Sequence, residues 1–198
     1  RIDQKLERID QQIKRASQIV EHLKLYGRRP DSPDTDNYHV FDVTDALETA
    51  LAVYQKPLES EGIVLSASIS GEPLRVLGDG LLLEQVLINL LSNARDALRH
   101  QGVNLVERHI SVSCQRKEDQ VVVTVQDNGG GVSEAILQRM FEPFFTTKDP
   151  DKGSGLGLSI ARSSIESMSG TIRAENTDSG LRLIIHLPAL PTDSNVKV

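Results

Sequence analysis

An acid followed by three glycines, DNGGGV (127–132), arrives where the apolar run VVVTVQ ends. A second glycine cluster, GSGLGL (153–158), leads into the helix-like SIARSSIESM. Glycine keeps a loop free of Cβ atoms, so backbone amides can approach a ligand. A helix N-terminus adds orphan N–H donors and the positive end of a dipole, both suited to phosphate. At first sight each cluster reads as a phosphate cradle. GSGLGL is not a Walker loop, because no Gly-Lys-Ser/Thr closes it, and not a Rossmann turn, because no strand leads directly into it. Taken alone, it also fits a flexible turn before a helix.

A third group lies between residues 80 and 99. Wound as a helix, this segment brings Gln85, Asn89, Asn93 and Asp96 into one narrow stripe. Leu83, Val86, Leu87, Leu90, Leu91, Ala94, Ala97 and Leu98 fill the broad face beside it. A polar stripe beside a core face usually meets solvent. Asparagine is a mediocre helix former, however, and two of them one turn apart are an odd choice for solvation alone. Amide oxygens at i and i+4 present hard ligands to magnesium, which takes few protein oxygens and leaves the rest to water and phosphate.

The elements that must position these groups are readable. HVFDV (39–43) predicts a strand, with Thr44 or Asp45 capping a helix to about residue 60. IVLSASI (63–69) and LRVLG (74–78) are short strands, and 80–99 is the strongest helix. HISVSCQRK (109–117) and QVVVTVQD (120–127) form a hairpin through Glu118-Asp119. A short helix near 133–139, a long irregular stretch to Ser154 and a helix over 156–168 follow, and strands 170–176 and 181–188 close the sheet. Helices mixed with adjacent antiparallel strands predict a two-layer α/β sandwich, not a doubly wound parallel sheet.

The 198 residues suffice for one such domain and an appended element. That element is N-terminal. Ile2, Leu6, Ile9, Ile13, Ala16, Val20 and Leu23 alternate in steps of four and three, a heptad seam that predicts a helix over 2–26. Such a seam is buried in a helical bundle, in a homodimer, or against the main domain. GRRPDSPDTDN (27–37) reads as a linker and PTDSNVKV as a frayed tail. The chain opens inside a helical pattern, so it looks like a segment of something longer. A net charge of −6 with no basic face argues against nucleic acid. One cysteine excludes a disulfide framework and a thiolate metal cluster, and makes a reducing compartment the default. No run spans a bilayer, so a membrane would be met only through upstream regions.

Taken in order, the four motifs resemble the nucleotide-binding domain of sensor histidine kinases, in the superfamily shared with gyrase, Hsp90 and MutL. EQVLINLLSNARDAL resembles the N box, DNGGGV the G1 box, FEPFF (141–145) the F box and GSGLGL the G2 box. RASQIVEHLKLYGRR resembles the second helix of the dimerisation and phosphotransfer hairpin. The resemblance implies a partial hairpin over 1–30, a linker over 31–38, a catalytic ATP-binding domain over 39–190 and a tail over 191–198. The implied architecture is the Bergerat-type sandwich, a mixed sheet covered on one side by helices and preceded by a long coiled-coil-like helix.

The resemblance also implies roles. Asp127 accepts from the adenine amino group, with Gly129 and Gly131 making room for the base. Asn93 coordinates Mg2+ and Asn89 supports it. Phe141, Phe144 and Phe145 hinge the lid, Thr147 and Lys148 neighbour phosphate, and Arg95 is a further candidate for it. Gly153, Ser154, Gly155, Leu156, Gly157 and Leu158 form the phosphate loop. ATP-hydrolysing relatives carry a glutamate four residues before the metal asparagine; here Asn89 stands there, and Glu84 lies on another face. This favours a kinase with very slow hydrolysis to free phosphate. His22 is followed by Leu23 and lies in the second-helix motif, so the phosphoacceptor histidine is expected upstream. The implied function is transfer of the ATP γ-phosphoryl to a histidine and on to an aspartate in the receiver domain of a cognate response regulator. The implied assembly is a cytoplasmic homodimer through the N-terminal helix. A regulatory module that binds nucleotide without phosphorylating, and a serine kinase of the same fold, are the alternatives.

Overall fold

The computed structural model describes residues 38–100, 107–148 and 153–191. The predicted heptad helix, its linker, His22 and the tail beyond Pro191 lie outside the described residues, as does the lid stretch 149–152.

Strand β1 (His39–Asp42) runs straight into helix α1 (Val43–Ser60). The predicted cap at Thr44 or Asp45 is corrected to Asp42, whose Oδ1 accepts from the Thr44 N–H at 2.9 Å. Strand and helix abut with no loop, so the last strand residue does the capping. Strand β2 (Ile63–Ile69), strand β3 (Arg75–Gly78) and helix α2 (Gly80–His100) follow. Strands β4 (Arg108–Lys117) and β5 (Gln120–Asp127) form the predicted hairpin, turning at Glu118 with φ 56°. Short helix α3 (Glu134–Arg139), helix α4 (Gly157–Ser167), and strands β6 (Thr171–Asn176) and β7 (Leu181–Pro188) complete the chain.

Five strands form one sheet in the order β2-β4-β5-β7-β6, parallel between β2 and β4 and antiparallel elsewhere. The sheet is therefore mixed, as expected. Strands β1 and β3 leave it and pair as a separate antiparallel ribbon, joined to the end of β7 through a bridge from Val76 to Ala189. Helices α1, α2 and α4 pack on one face of the sheet. The apolar face of α2 supplies the centre: Leu83, Leu87 and Leu90 are fully buried against Ile110, Val123 and Ile185. Ala97, placed on that face by the spacing, stays half-buried at its edge. Cys114 is buried in the same core, and burial pushes its thiol up to about 12, leaving it inert at neutral pH.

The opposite face carries Ser113, Thr124, Gln126, Arg173 and Arg182 around a depression of about 360 Å³. No residue lining it belongs to the four motifs. No described helix is long and apolar enough to cross a membrane.

Candidate functional site

The G1 and G2 loops, and Lys148 just past the F box, meet on α2, the helix of the N box. A Cβ built on Gly129 would lie 3.2 Å from the Ala97 Cβ, so the G1 loop rests on the last turns of α2. A Cβ on Gly157 would fall 2.5 Å from Asn89 Oδ1, so the start of α4 presses on the asparagine stripe. The Lys148 ammonium reaches Asn93 Oδ1 at 3.2 Å and Asp96 Oδ2 at 2.5 Å, which brings the end of the F-box segment to the same stripe.

Asp127 ends β5 and is only 5% exposed. Burial pushes its carboxyl above the ordinary range, because the charged form loses water. Two backbone donors partly offset this: Oδ1 accepts from Gly129 N–H at 2.8 Å and from Leu181 N–H at 3.4 Å. The result is a fixed, poorly hydrated acceptor, suited to one edge of a base. Two asparagines clamp the loop around it. Asn128 Oδ1 accepts from His109 N–H while its Nδ2 donates to Glu107 O, each at 2.8 Å, tying the loop to the start of β4. Asn176 on β6 satisfies both backbone groups of Val132, at 3.0 and 2.8 Å. Gly131 fits beneath that second clamp: a Cβ there would meet Asn176 Oδ1 at 2.6 Å. Its missing side chain therefore makes room for Asn176, whereas Gly129 makes room for α2.

Gly180 was not marked by the sequence reading. A Cβ there would come within 2.1 Å of the Asp127 carbonyl oxygen. It closes the β6–β7 turn directly beneath the acid, and Gly130 N–H donates to the neighbouring Ser179 O at 2.8 Å. Its only sequence signal is the turn composition DSG between two strands.

At the other end, Asn93 Nδ2 donates to Asn89 Oδ1 at 3.5 Å, which leaves the Asn93 oxygen facing Lys148. Asn89 Nδ2 is buried without a partner. Gly155 adopts φ +67°, and a Cβ there would meet backbone atoms of Phe144 at 2.5 Å. Phe144 itself sits at φ 64°, left-handed backbone that a bulky side chain rarely adopts. A Cβ on Gly153 would meet Thr146 Oγ1 at 2.8 Å, so GSGLGL lies directly on the F-box segment. Ser154 Oγ accepts from Leu156 N–H at 3.3 Å. Leu156 buries its side chain in the core and Leu158 is half-buried, so these two can offer a ligand only backbone amides. No side chain caps α4, and its first amides remain suited to an anion.

Phe141 is core, with the Arg162 guanidinium 4.6 Å from its ring centroid; Phe145 lies half-buried beneath Arg139, and Phe144 is exposed. Thr147 is exposed at the surface. Arg95 does not join the stripe. It points to Glu61 after α1 and forms an ion pair that the Arg99 guanidinium extends at 3.5 Å. Two residues from Asn93 is more than half a helical turn, which carries Arg95 to another side of α2. The expectation that it faces phosphate is corrected accordingly.

These donors fit the magnesium ion that the domain type implies. Asn93 Oδ1 and Asp96 Oδ2 are hard oxygens on one helix face, already gathered around a cation.

Known proteins resemble the chain on these same elements. The two-component sensor PprA of Pseudomonas aeruginosa is 37% identical over 98% of the chain, which covers 21% of that protein. The catalytic domain of histidine kinase ThkA superposes with a TM-score of 0.68 at 30% identity, covering 78% of this chain and 99% of that one. ThkA in complex with the response regulator TrrA gives 0.70 at 26% identity, over 92% of this chain and 50% of that one. The chain spans about a fifth to a third of the length of curated relatives such as PprA and the sensor protein FixL of Bradyrhizobium diazoefficiens, at 21% and 34%. The model of the family described as histidine kinase-, DNA gyrase B-, and HSP90-like ATPase matches residues 78–191, from the end of β3 through the last described residue. The chain belongs to that family and carries its ATP-binding domain, in the form found in sensor histidine kinases.

Proposed function

We propose that this chain is the ATP-binding catalytic part of a sensor histidine kinase, passing the ATP γ-phosphoryl to a histidine and then to an aspartate of a response regulator. One observation carries the reading: the loop after Asp127, the glycine loop before α4 and Lys148 just past the F box all meet α2, the helix that carries Asn89 and Asn93. Asp127 accepts from the adenine amino group and fixes the register of the nucleotide. Gly153, Gly155 and Gly157 let backbone amides at the start of α4 take the phosphates, with Ser154 beside them. Asn93 holds the divalent cation and Asn89 orients it. A magnesium ion bound there supplies charge neutralisation for the triphosphate.

Asn89 has no proton-accepting group at neutral pH, so this position offers no base to activate water. That favours phosphoryl transfer over hydrolysis. The ThkA–TrrA complex supports a receiver-domain partner, and the heptad seam supports a homodimer through the N-terminal helix. The site works in the cytoplasm, where ATP and the regulator are found.

Calorimetry with Mg-AMPPNP tests nucleotide binding by this chain, and phosphotransfer from ATP to a receiver domain tests the intact protein. Binding without any phosphohistidine in the intact protein would favour the regulatory alternative. Rapid ATP turnover without a phosphoacceptor would overturn the kinase reading.

A further inference from the structure

The stripe on α2 holds one acid to which the motifs give no task, Asp96. It stands three residues after Asn93, hence on the same helix face. Its Oδ2 lies 2.5 Å from the Lys148 ammonium, which also donates to Asn93 Oδ1 at 3.2 Å. Lys148 and Asp96 are 26% and 29% exposed, so the pair is only partly solvated. The bond from Asn93 Nδ2 to Asn89 fixes the amide with its oxygen toward the lysine. A lysine from the F-box segment thus sits where two hard oxygens converge.

We propose that this oxygen pair, Asn93 Oδ1 and Asp96 Oδ2, serves two cations in turn: the Lys148 ammonium without nucleotide, and a divalent metal when nucleotide enters. This rests on the nucleotide-site reading above and adds Asp96 to it as a metal-side ligand, direct or through water. The two cations exclude each other, because like charges a few ångströms apart repel. Metal entry therefore releases Lys148, whose flexible four-carbon stem carries its charge toward the phosphates. In the empty site the lysine neutralises Asp96, which would otherwise repel an incoming triphosphate. The exchange makes and breaks no covalent bond.

The test uses Mn2+ as the probe, followed by electron paramagnetic resonance on the nucleotide-free chain. Lys148→Met removes the competing cation and is expected to tighten Mn2+ binding about tenfold. The added Asp96→Asn change in the same chain is expected to abolish that gain. Lys148→Arg, which keeps the charge, is expected to bind Mn2+ like the parent. Equal Mn2+ binding by the parent and Lys148→Met would overturn the proposal, as would a gain that survives Asp96→Asn or appears in Lys148→Arg. Mg-AMPPNP binding by the parent, measured in parallel, separates the two readings. Normal AMPPNP binding with flat Mn2+ data sinks the exchange alone, whereas no AMPPNP binding sinks the nucleotide site and the exchange with it.

Discussion

The two ends of the site are built on opposite plans. At the Asp127 end, a single buried carboxylate is held by backbone amides, two asparagine clamps and the close approach of Gly180. At the Asn93 end, part-exposed side chains meet through an ion pair and amide contacts. On the proposed reading the first end recognises by fixed shape, and its cost is charge desolvation. The second, on the proposed reading, recognises by charge, through contacts that a second cation can replace. A base presents one constant edge, while a triphosphate brings charge that must be matched on arrival; the division of labour follows from that.

The harshest way to break the fixed end is Gly180→Ala. The new methyl would stand 2.1 Å from the Asp127 carbonyl oxygen and 2.7 Å from its carboxylate, and backbone cannot yield as a side-chain tip does. We expect a stability loss of about 3 kcal/mol in urea unfolding and nucleotide binding too weak to measure by calorimetry. A parental unfolding midpoint would show that the fixed end is not rigid.

Asp127→Asn separates recognition from stability. Loss of a charged hydrogen bond in a closed pocket costs roughly 1.5–3 kcal/mol, so ATP affinity should fall about tenfold to a hundredfold. Stability should move the other way. Burial raises the folded pKa of Asp127 above the ordinary 3.8, so the folded state binds more protons between those two values. Stability therefore falls as pH rises through that window, and the ionised acid is a standing cost at neutral pH. The asparagine variant should unfold at higher urea than the parent at pH 7, with the advantage vanishing below about pH 4. Unchanged affinity would remove Asp127 from the base-reading role.

The exchangeable end responds less. Gly155→Ala places a side chain at φ +67° against the Phe144 backbone. Strain of about 1–2 kcal/mol, shared between local fold and loop geometry, predicts AMPPNP binding weaker by about tenfold with little change in global unfolding. Loss of both together would mean that this loop is as integral to the fold as Gly180.

Legibility in the sequence followed the same divide between local and distant. β2, β5 and β7 carry the bounds read from their apolar, β-branched runs, and the β4–β5 turn was visible because two strand patterns stop on either side of Glu118-Asp119. The helix stripe was visible because its period is intrinsic to the chain. What stayed hidden depends on partners far along the sequence. Nothing near residues 39–42 or 75–78 shows that β1 and β3 pair with each other and leave the main sheet. Asn176 clamps a backbone 44 residues away, and Gly180 matters only because Asp127 lies above it. Likewise Lys148 meets Asp96 from 52 residues further on.

Arg95 gives the finest test of where the exchangeable end stops. It adjoins the stripe in sequence, yet its guanidinium is committed to Glu61, whose carboxyl the Arg95 hydrogen bond holds below the ordinary range. A lowered folded pKa means the pair stabilises above the unfolded value near 4.5 and loses that contribution as pH falls through the folded value. The partners are 27% and 21% exposed, so solvent screens them and the contribution should stay under about 1 kcal/mol. Glu61→Gln and Arg95→Ala are each expected to lower the urea midpoint slightly at pH 7, with the difference shrinking below about pH 4.5. Neither should alter AMPPNP affinity, because the two side chains pair with each other away from the Asn89–Asn93 stripe. A drop in affinity for Arg95→Ala but not for Glu61→Gln would return Arg95 to the phosphates and extend the charge-matching end one helix face further than the ion pair allows.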